Sequence, residues 1–289
     1  MMSRRRENDR VVNDITINEG RRNMLVKRIF SSLGLIGLVI LSVFNIWVFD
    51  FVIMLITVLG LYEFFTMLER KGISIYKYVG IGMGMIIPLS IMFHFELTKK
   101  WELLCIVLLL LGLTMMQFKR RQSQGAIVGI STTLFGILYV SWFFSFIIKI
   151  RQLSNGIGFF ASLLIITKLG DIGAYLIGSR FGRTPLMPRI SPNKSVEGAI
   201  GGFIFSILGA IVCKPMLPFS YGHLIFIGAF LGILGQMGDL SESLMKRDSQ
   251  IKDSAAIFPG MGGVLDVVDS LLFTAPVFYF YISIVLNYM

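Results

Sequence analysis

The sequence predicts an all-α, polytopic integral membrane protein with nine membrane helices, its N-terminus inside and its C-terminus outside. Three observations carry that expectation. The chain is 55% hydrophobic and only 15% charged over 289 residues, with a mean hydropathy of +0.76. A soluble domain does not hold that much apolar sequence. Apolar runs suited to a bilayer recur at about 29–49, 50–68, 79–95, 101–117, 127–148, 158–178, 198–213, 222–241 and 263–287. Lysine and arginine alternate with those runs. Nine spans place 21 of them inside and five outside, with Lys168 left within a span, which is the bias expected of cytosolic loops. One missed or invented span would exchange the sides of the later loops and blur the contrast.

The elements follow in order. Residues 1–28 are polar and Arg-rich, and the acids Glu7, Asp9, Asp14 and Glu19 among them argue against a mitochondrial transit peptide. The run from Ile29 is too long for a signal-peptide core, so a flexible basic cytosolic tail leads into a retained first helix. The first two spans are joined tightly around Trp47–Phe51, and the third, fourth and seventh are short. N-terminal membrane helices fill residues 29–150, and the chemistry-bearing residues fall in a C-terminal membrane region, 151–289. Gly198 with Gly202 and Gly228 with Gly232 have the four-residue spacing that lets helices approach closely. Glycine-rich faces of this kind permit a homodimer without requiring one. Cys105 and Cys213 lie in or beside apolar runs, without a CxxC partner, and read as buried small hydrophobes. The formal charge of +10 suits loops held against anionic membrane phospholipids. No basic patch with interleaved aromatics is present, so no nucleic acid is expected.

Charge near lipid costs roughly 2.5–3.5 kcal/mol at a helix centre, so it usually serves a purpose. Asp171 lies in the inner part of the sixth span, Asp239 at the inner end of the eighth, and Asp266 and Asp269 at the inner start of the ninth. The segment Ser191–Gly198 falls on the same side. Asp266 and Asp269 stand at i and i+3, so both carboxylates share a helix face. They could cap the ninth helix, but with Asp239 they make three hard oxygen donors, a set that suits Mg²⁺ with substrate phosphates better than zinc. Lys246, Arg247 and Lys252 read either as anchors to phospholipid headgroups or as phosphate ligands. Lys168 and Asp171 either neutralise each other or serve the site. A P-loop, a Gly-x-Ser-x-Gly elbow and a zinc-binding His-Glu-x-x-His helix are all absent from the sequence.

These residues resemble the phosphatidate cytidylyltransferase, or CDP-diacylglycerol synthase, family. The likeness rests on Ser243, Lys246, Arg247, Lys252, Asp253, Pro259, Gly260, Gly262, Gly263, Asp266 and Asp269. It is joined by Gly238-Asp239-Leu-Ser-Glu-Ser, by Asp171-Ile-Gly-Ala-Tyr175 and by Ser191-Pro-Asn-Lys194-Ser195-Val-Glu197-Gly198. Met261 stands where that pattern has His, and Val267 where it has Arg. The resemblance covers about residues 168–270 and implies an all-helical membrane enzyme making CDP-diacylglycerol and pyrophosphate from CTP and phosphatidate. It implies a bacterial-type inner membrane and a cytoplasm-facing site. Asp239, Asp266 and Asp269 would carry Mg²⁺, with a monovalent cation such as K⁺ as a second ion. Asp171, Lys246, Arg247, Lys252 and Asp253 would be catalytic. Tyr175, Ser191, Lys194, Ser195, Glu197, Ser243, Gly262 and Gly263 would contact substrate. A CTP-dependent polyprenol kinase would leave similar marks. A cation transporter using Lys168 and Asp171 is the other rival, and the clustering of acids at one leaflet argues against it.

Overall fold

The computed structural model describes residues 37, 42–95, 101–118, 124–250 and 263–288. The tail 1–28 and most of the expected first span lie outside the described residues. Eight helices are present among those described: α1 Ile46–Arg70, α2 Lys77–Met92, α3 Trp101–Phe118, α4 Ala126–Gln152, α5 Gly156–Phe181, α6 Val196–Val212, α7 Tyr221–Asp248 and α8 Val264–Tyr288. Six are long and apolar enough to cross a membrane, and α2 and α6 are shorter apolar helices. The chain is an α-helical membrane protein.

Three departures from the expected elements are instructive. The expected break at 49/50 falls instead at Asn45, whose side chain accepts from the amides of Trp47 and Val48 at 3.0 and 3.3 Å. Asn is a favoured N-cap because its oxygen satisfies amides that have no partner within the helix. The eighth run was expected to end at 241, but α7 continues to Asp248. The apolar pattern stops at Leu240, yet Glu242 and Lys246 pair across one turn at 2.6 Å and carry the helix onward. The third departure is the segment before α6, which holds a small antiparallel hairpin, β1 Pro185–Met187 with β2 Ser191–Ser195. It is the exception to the all-α reading among the described residues.

The core is mainly aliphatic, with large aromatic rings set in it: Phe49, Phe64, Phe65, Phe146, Phe159 and Phe278 are fully buried. Leu103, Val107, Leu110 and Leu111 of α3 point outward, as a lipid-facing helix requires. Within α4 the segment Ile137–Trp142 is π-helical, and this widened turn packs Tyr139 and Phe143 against Phe273 of α8. The expected glycine contacts are present. A Cβ on Gly198 would lie 3.1 Å from the Cα of Gly178, and one on Gly228 2.8 Å from the Cα of Ile207. Helices α5 and α6 therefore meet nearly backbone to backbone, as do α6 and α7.

Candidate active site

The C-terminal halves of α5 and α7, the N-termini of α6 and α8, and the hairpin surround one cavity of about 480 Å³. Helix α5 contributes Lys168, Asp171 and Tyr175, and α7 contributes Gln236 and Asp239. Helix α8 contributes Asp266 and Asp269, and the hairpin and the start of α6 contribute Asn193, Lys194, Ser195 and Gly198. Alternating chain direction brings the ends of four helices together, so acids far apart in sequence share one space.

Local chemistry fixes each group. Lys168 donates to Asp171 at 2.9 Å, to the Ser270 hydroxyl at 3.3 Å and to the Val267 carbonyl at 3.4 Å. Mutual neutralisation of Lys168 and Asp171 is thus real, and the pair nevertheless lines the cavity. Lys194 reaches from β2 to Asp239 at 2.5 Å. Asp266 accepts from Lys246 at 2.5 Å and from the Gly263 amide at 2.7 Å, the latter a helix-start contact of the kind that carboxylates favour. Asp269 is only 8% exposed and accepts from the amide of Ser270 at 2.6 Å. Gly238, beside Asp239, lets α7 run against the backbone of α8: a Cβ there would collide with the Asp269 carbonyl and lie 3.2 Å from the Cα of Ser270.

Of the residues singled out by sequence, Asp171, Tyr175, Lys194, Ser195, Asp239, Asp266 and Asp269 line the cavity. Tyr175 is 73% exposed at its edge. Ser191, Glu197, Ser243, Lys246, Arg247 and Gly263 are not among the lining residues, and Lys252, Asp253, Met261 and Gly262 lie outside the described residues. Lys246, expected to hold phosphate, sits between two acids, Glu242 and Asp266. Arg247 is exposed and donates to the Ile190 carbonyl at 3.3 Å, which ties α7 to the hairpin turn. Val267 packs against the apolar core with its side chain. Sequence reasoning passed over Glu63 and Gln236, and it quoted Glu242 within a motif without giving it a role. An acid inside the apolar run Gly60–Leu68 was the available signal for Glu63.

Glu197 has a structural task in the hairpin. Its carboxylate accepts from the amides of Arg183 and Thr184 at 3.0 and 3.2 Å, and so anchors the strand leading into the hairpin. The amide of Arg183, then its own amide and that of Thr184, hold its acid constant down from 4.5 to about 2. A depressed carboxylate contributes stability above its unfolded value that is lost as pH falls through the folded one. Protection of the amides in 183–187, corrected for the intrinsic pH dependence of exchange, is therefore expected to hold down to about pH 4.5 and to fall as pH approaches about 2. Glu197→Gln should exchange fast at neutral pH as well, and a pH-independent wild-type profile would refute the anchor.

Among the described residues, no three His, Cys, Asp or Glu side chains form a ready-made metal cage, and Asp239 and Asp266 each hold a lysine. The donor chemistry nonetheless fits a hard divalent ion, which is commonly held by one or two carboxylates together with substrate phosphates.

Fold and cavity together define a polytopic helical membrane protein with a charged site where four helix ends converge. The profile described as "Cytidylyltransferase family" matches residues 26–285. A phosphatidate cytidylyltransferase of Synechocystis sp. is 32% identical over 274 residues, covering 83% of this chain and 90% of that one. One from Chlamydia muridarum is 33% identical over 254 residues, covering 79% and 81%. One from Bacillus subtilis is 39% identical over 150 residues, covering 51% of this chain and 56% of its own length. The chain belongs to the cytidylyltransferase family.

Proposed function

We propose that this protein is a phosphatidate cytidylyltransferase, a nucleotidyltransferase of phospholipid biosynthesis. It joins CTP and phosphatidate to give CDP-diacylglycerol and pyrophosphate. One observation carries the reading: four aspartates and two lysines line a single cavity at converging helix ends, in a chain of this family.

The chemistry asks for positioning and charge balance more than for covalent work. A phosphatidate oxygen forms a bond to the α-phosphorus of CTP as the bond to the bridging oxygen breaks, and pyrophosphate leaves in line. The attacking phosphate is already anionic near neutral pH, so no strong base is needed. Lys194 and Lys168 hold phosphate oxygens, and Asp171 orients Lys168. Ser195 and Tyr175 border the substrate. Asp239, Asp266 and Asp269 are the residues that would hold Mg²⁺, with a monovalent ion such as K⁺ as its companion. A bound divalent ion supplies neutralisation of the charge that builds on the transferring phosphoryl group. In the free protein, ammonium partners stand beside Asp171, Asp239 and Asp266 and offset their charge until polyanions enter.

The topology that goes with this reading has nine spans, N-terminus inside and C-terminus outside, in a bacterial inner membrane. The cavity then opens to the cytoplasm, where soluble CTP meets a lipid held in the bilayer. Residues 151–289 carry the catalytic region in this scheme, and the small-residue faces allow a homodimer. Purified protein with Mg²⁺, labelled CTP and phosphatidate is expected to release labelled CDP-diacylglycerol. No such product, or CTP-dependent phosphorylation of a polyprenol instead, would overturn the reading. Met261→His, run beside it, measures what this departure from the family pattern does to turnover.

A further inference from the structure

We propose that Glu63, a carboxylate within the apolar helix α1, is a positioning residue for Asp266 and Asp269; the role in turnover rests on the functional reading above. Glu63 is 1% exposed. One of its oxygens accepts from the amide of Val264 at 2.8 Å, and the other from the amide of Leu265 at 2.9 Å. These are the first two residues of α8, and the first amides of a helix have no partner within it. The preceding amide, of Gly263, is taken by Asp266. Three successive amides at the start of α8 are thus held by two acids, and one of those acids comes from the opposite half of the chain.

The arrangement sets where the cavity carboxylates stand. Asp266 follows Leu265 directly, and Asp269 lies one turn further on the same face. A shift of the helix start therefore shifts both. Gly60, one turn ahead of Glu63, makes the approach close: a Cβ there would lie 3.3 Å from Leu265 and 3.1 Å from Val140. A second contact joins Lys71, just past α1, to Asp248 at the end of α7. Helix α1 therefore grips both helices that carry the proposed metal-binding acids. Glu63 itself is not among the residues lining the cavity, so it acts through α8 and not on substrate.

A carboxylate suits this task and a carboxamide does not. Glutamine could accept only one of the two amides and would turn its NH₂ towards the other. Glu63→Gln is therefore expected to lower kcat by about 10²-fold, as misplacement of reacting groups by an ångström does. The Mg²⁺ concentration for half-maximal activity should rise roughly 10-fold or more, the size of change that follows loss of a group supporting metal ligands. Amide exchange at Val264 and Leu265, followed on the full-length protein, should accelerate. Glu63→Asp keeps the carboxylate and should recover part of each effect. If Glu63→Gln does not fold, Glu63→Asp carries the test by the same readouts.

Asn45→Ala is the control: it removes the cap of α1, so it should lower thermal stability while leaving the Mg²⁺ response unchanged. Glu63→Gln with kcat and Mg²⁺ response within about twofold of wild type and unaltered exchange would overturn the proposal. Wild-type protein that makes no CDP-diacylglycerol would sink the functional reading instead. The exchange measurement still decides in that case whether Glu63 holds the start of α8.

Discussion

Asp269→Asn is expected to lower CDP-diacylglycerol formation by about 10²–10³-fold, the scale on which losing one preorganised electrostatic group acts. The substitution keeps shape and keeps an oxygen to accept from Ser270, as Asp269 does at 2.6 Å. It removes only charge. Asp269 lies almost buried, with Asp239, Glu242 and Asp171 as acidic neighbours and Lys168 as the cation. Neutralising one acid in such a group relieves repulsion, so thermal stability in detergent should hold or rise while turnover collapses. The informative measurement is single-turnover formation of product beside a melting curve on the same preparation. Activity and stability falling together would mean that Asp269 is a structural acid.

Lys246→Met should show the opposite pattern. Glu242, 2% exposed, and Asp266 both depend on this ammonium, at 2.6 and 2.5 Å. Removing one partner of a buried charge set leaves the rest uncompensated, a loss of about 3–5 kcal/mol. The thermal midpoint should fall markedly, and adding Glu242→Gln should restore part of it, since the two sites share one interaction. If Lys246→Met instead kept wild-type stability and only raised KM for CTP, the lysine would be a phosphate ligand, as its place in the sequence pattern had suggested.

The ion pairs of Lys246 show what sequence reading can reach here. Apolar length located the helices, because lipid or core must cover every residue of a long apolar run. The parity of the spans brought Asp171, Asp239, Asp266 and Asp269 to one end, where the structure joins them. Spacing along a chain reports which groups share a face but not which partner each group takes. Lys246 lies seven residues after Asp239, and that spacing does not tell that Glu242, one turn away, and Asp266 both pair with it. The break before α1 was misplaced for a related reason. Phe49-Asp50-Phe51 looks like a polar interruption, but Asp50 is buried within the helix, and the cap is the less conspicuous Asn45. Glu63 was passed over because its partners are backbone amides about 200 residues away, and a main-chain amide leaves no letter in a sequence.

The glycine contact between α5 and α6 bears on how large substrates enter. Gly178 packs against Gly198 and Gly202 against Gly170, while Phe205 fills the space over Gly173 and Ile177 that over Gly201, so backbone and side chains interlock along the two helices. Close-packed surfaces of this kind transmit displacement instead of absorbing it. Lys168, Asp171 and Ser195 are therefore mounted on what amounts to one plate. Any widening for a nucleotide and a two-tailed lipid is therefore expected at the hairpin, which lines the cavity through Leu186, Asn193 and Lys194 and is tied by Arg247 at its turn and by Glu197 at its base.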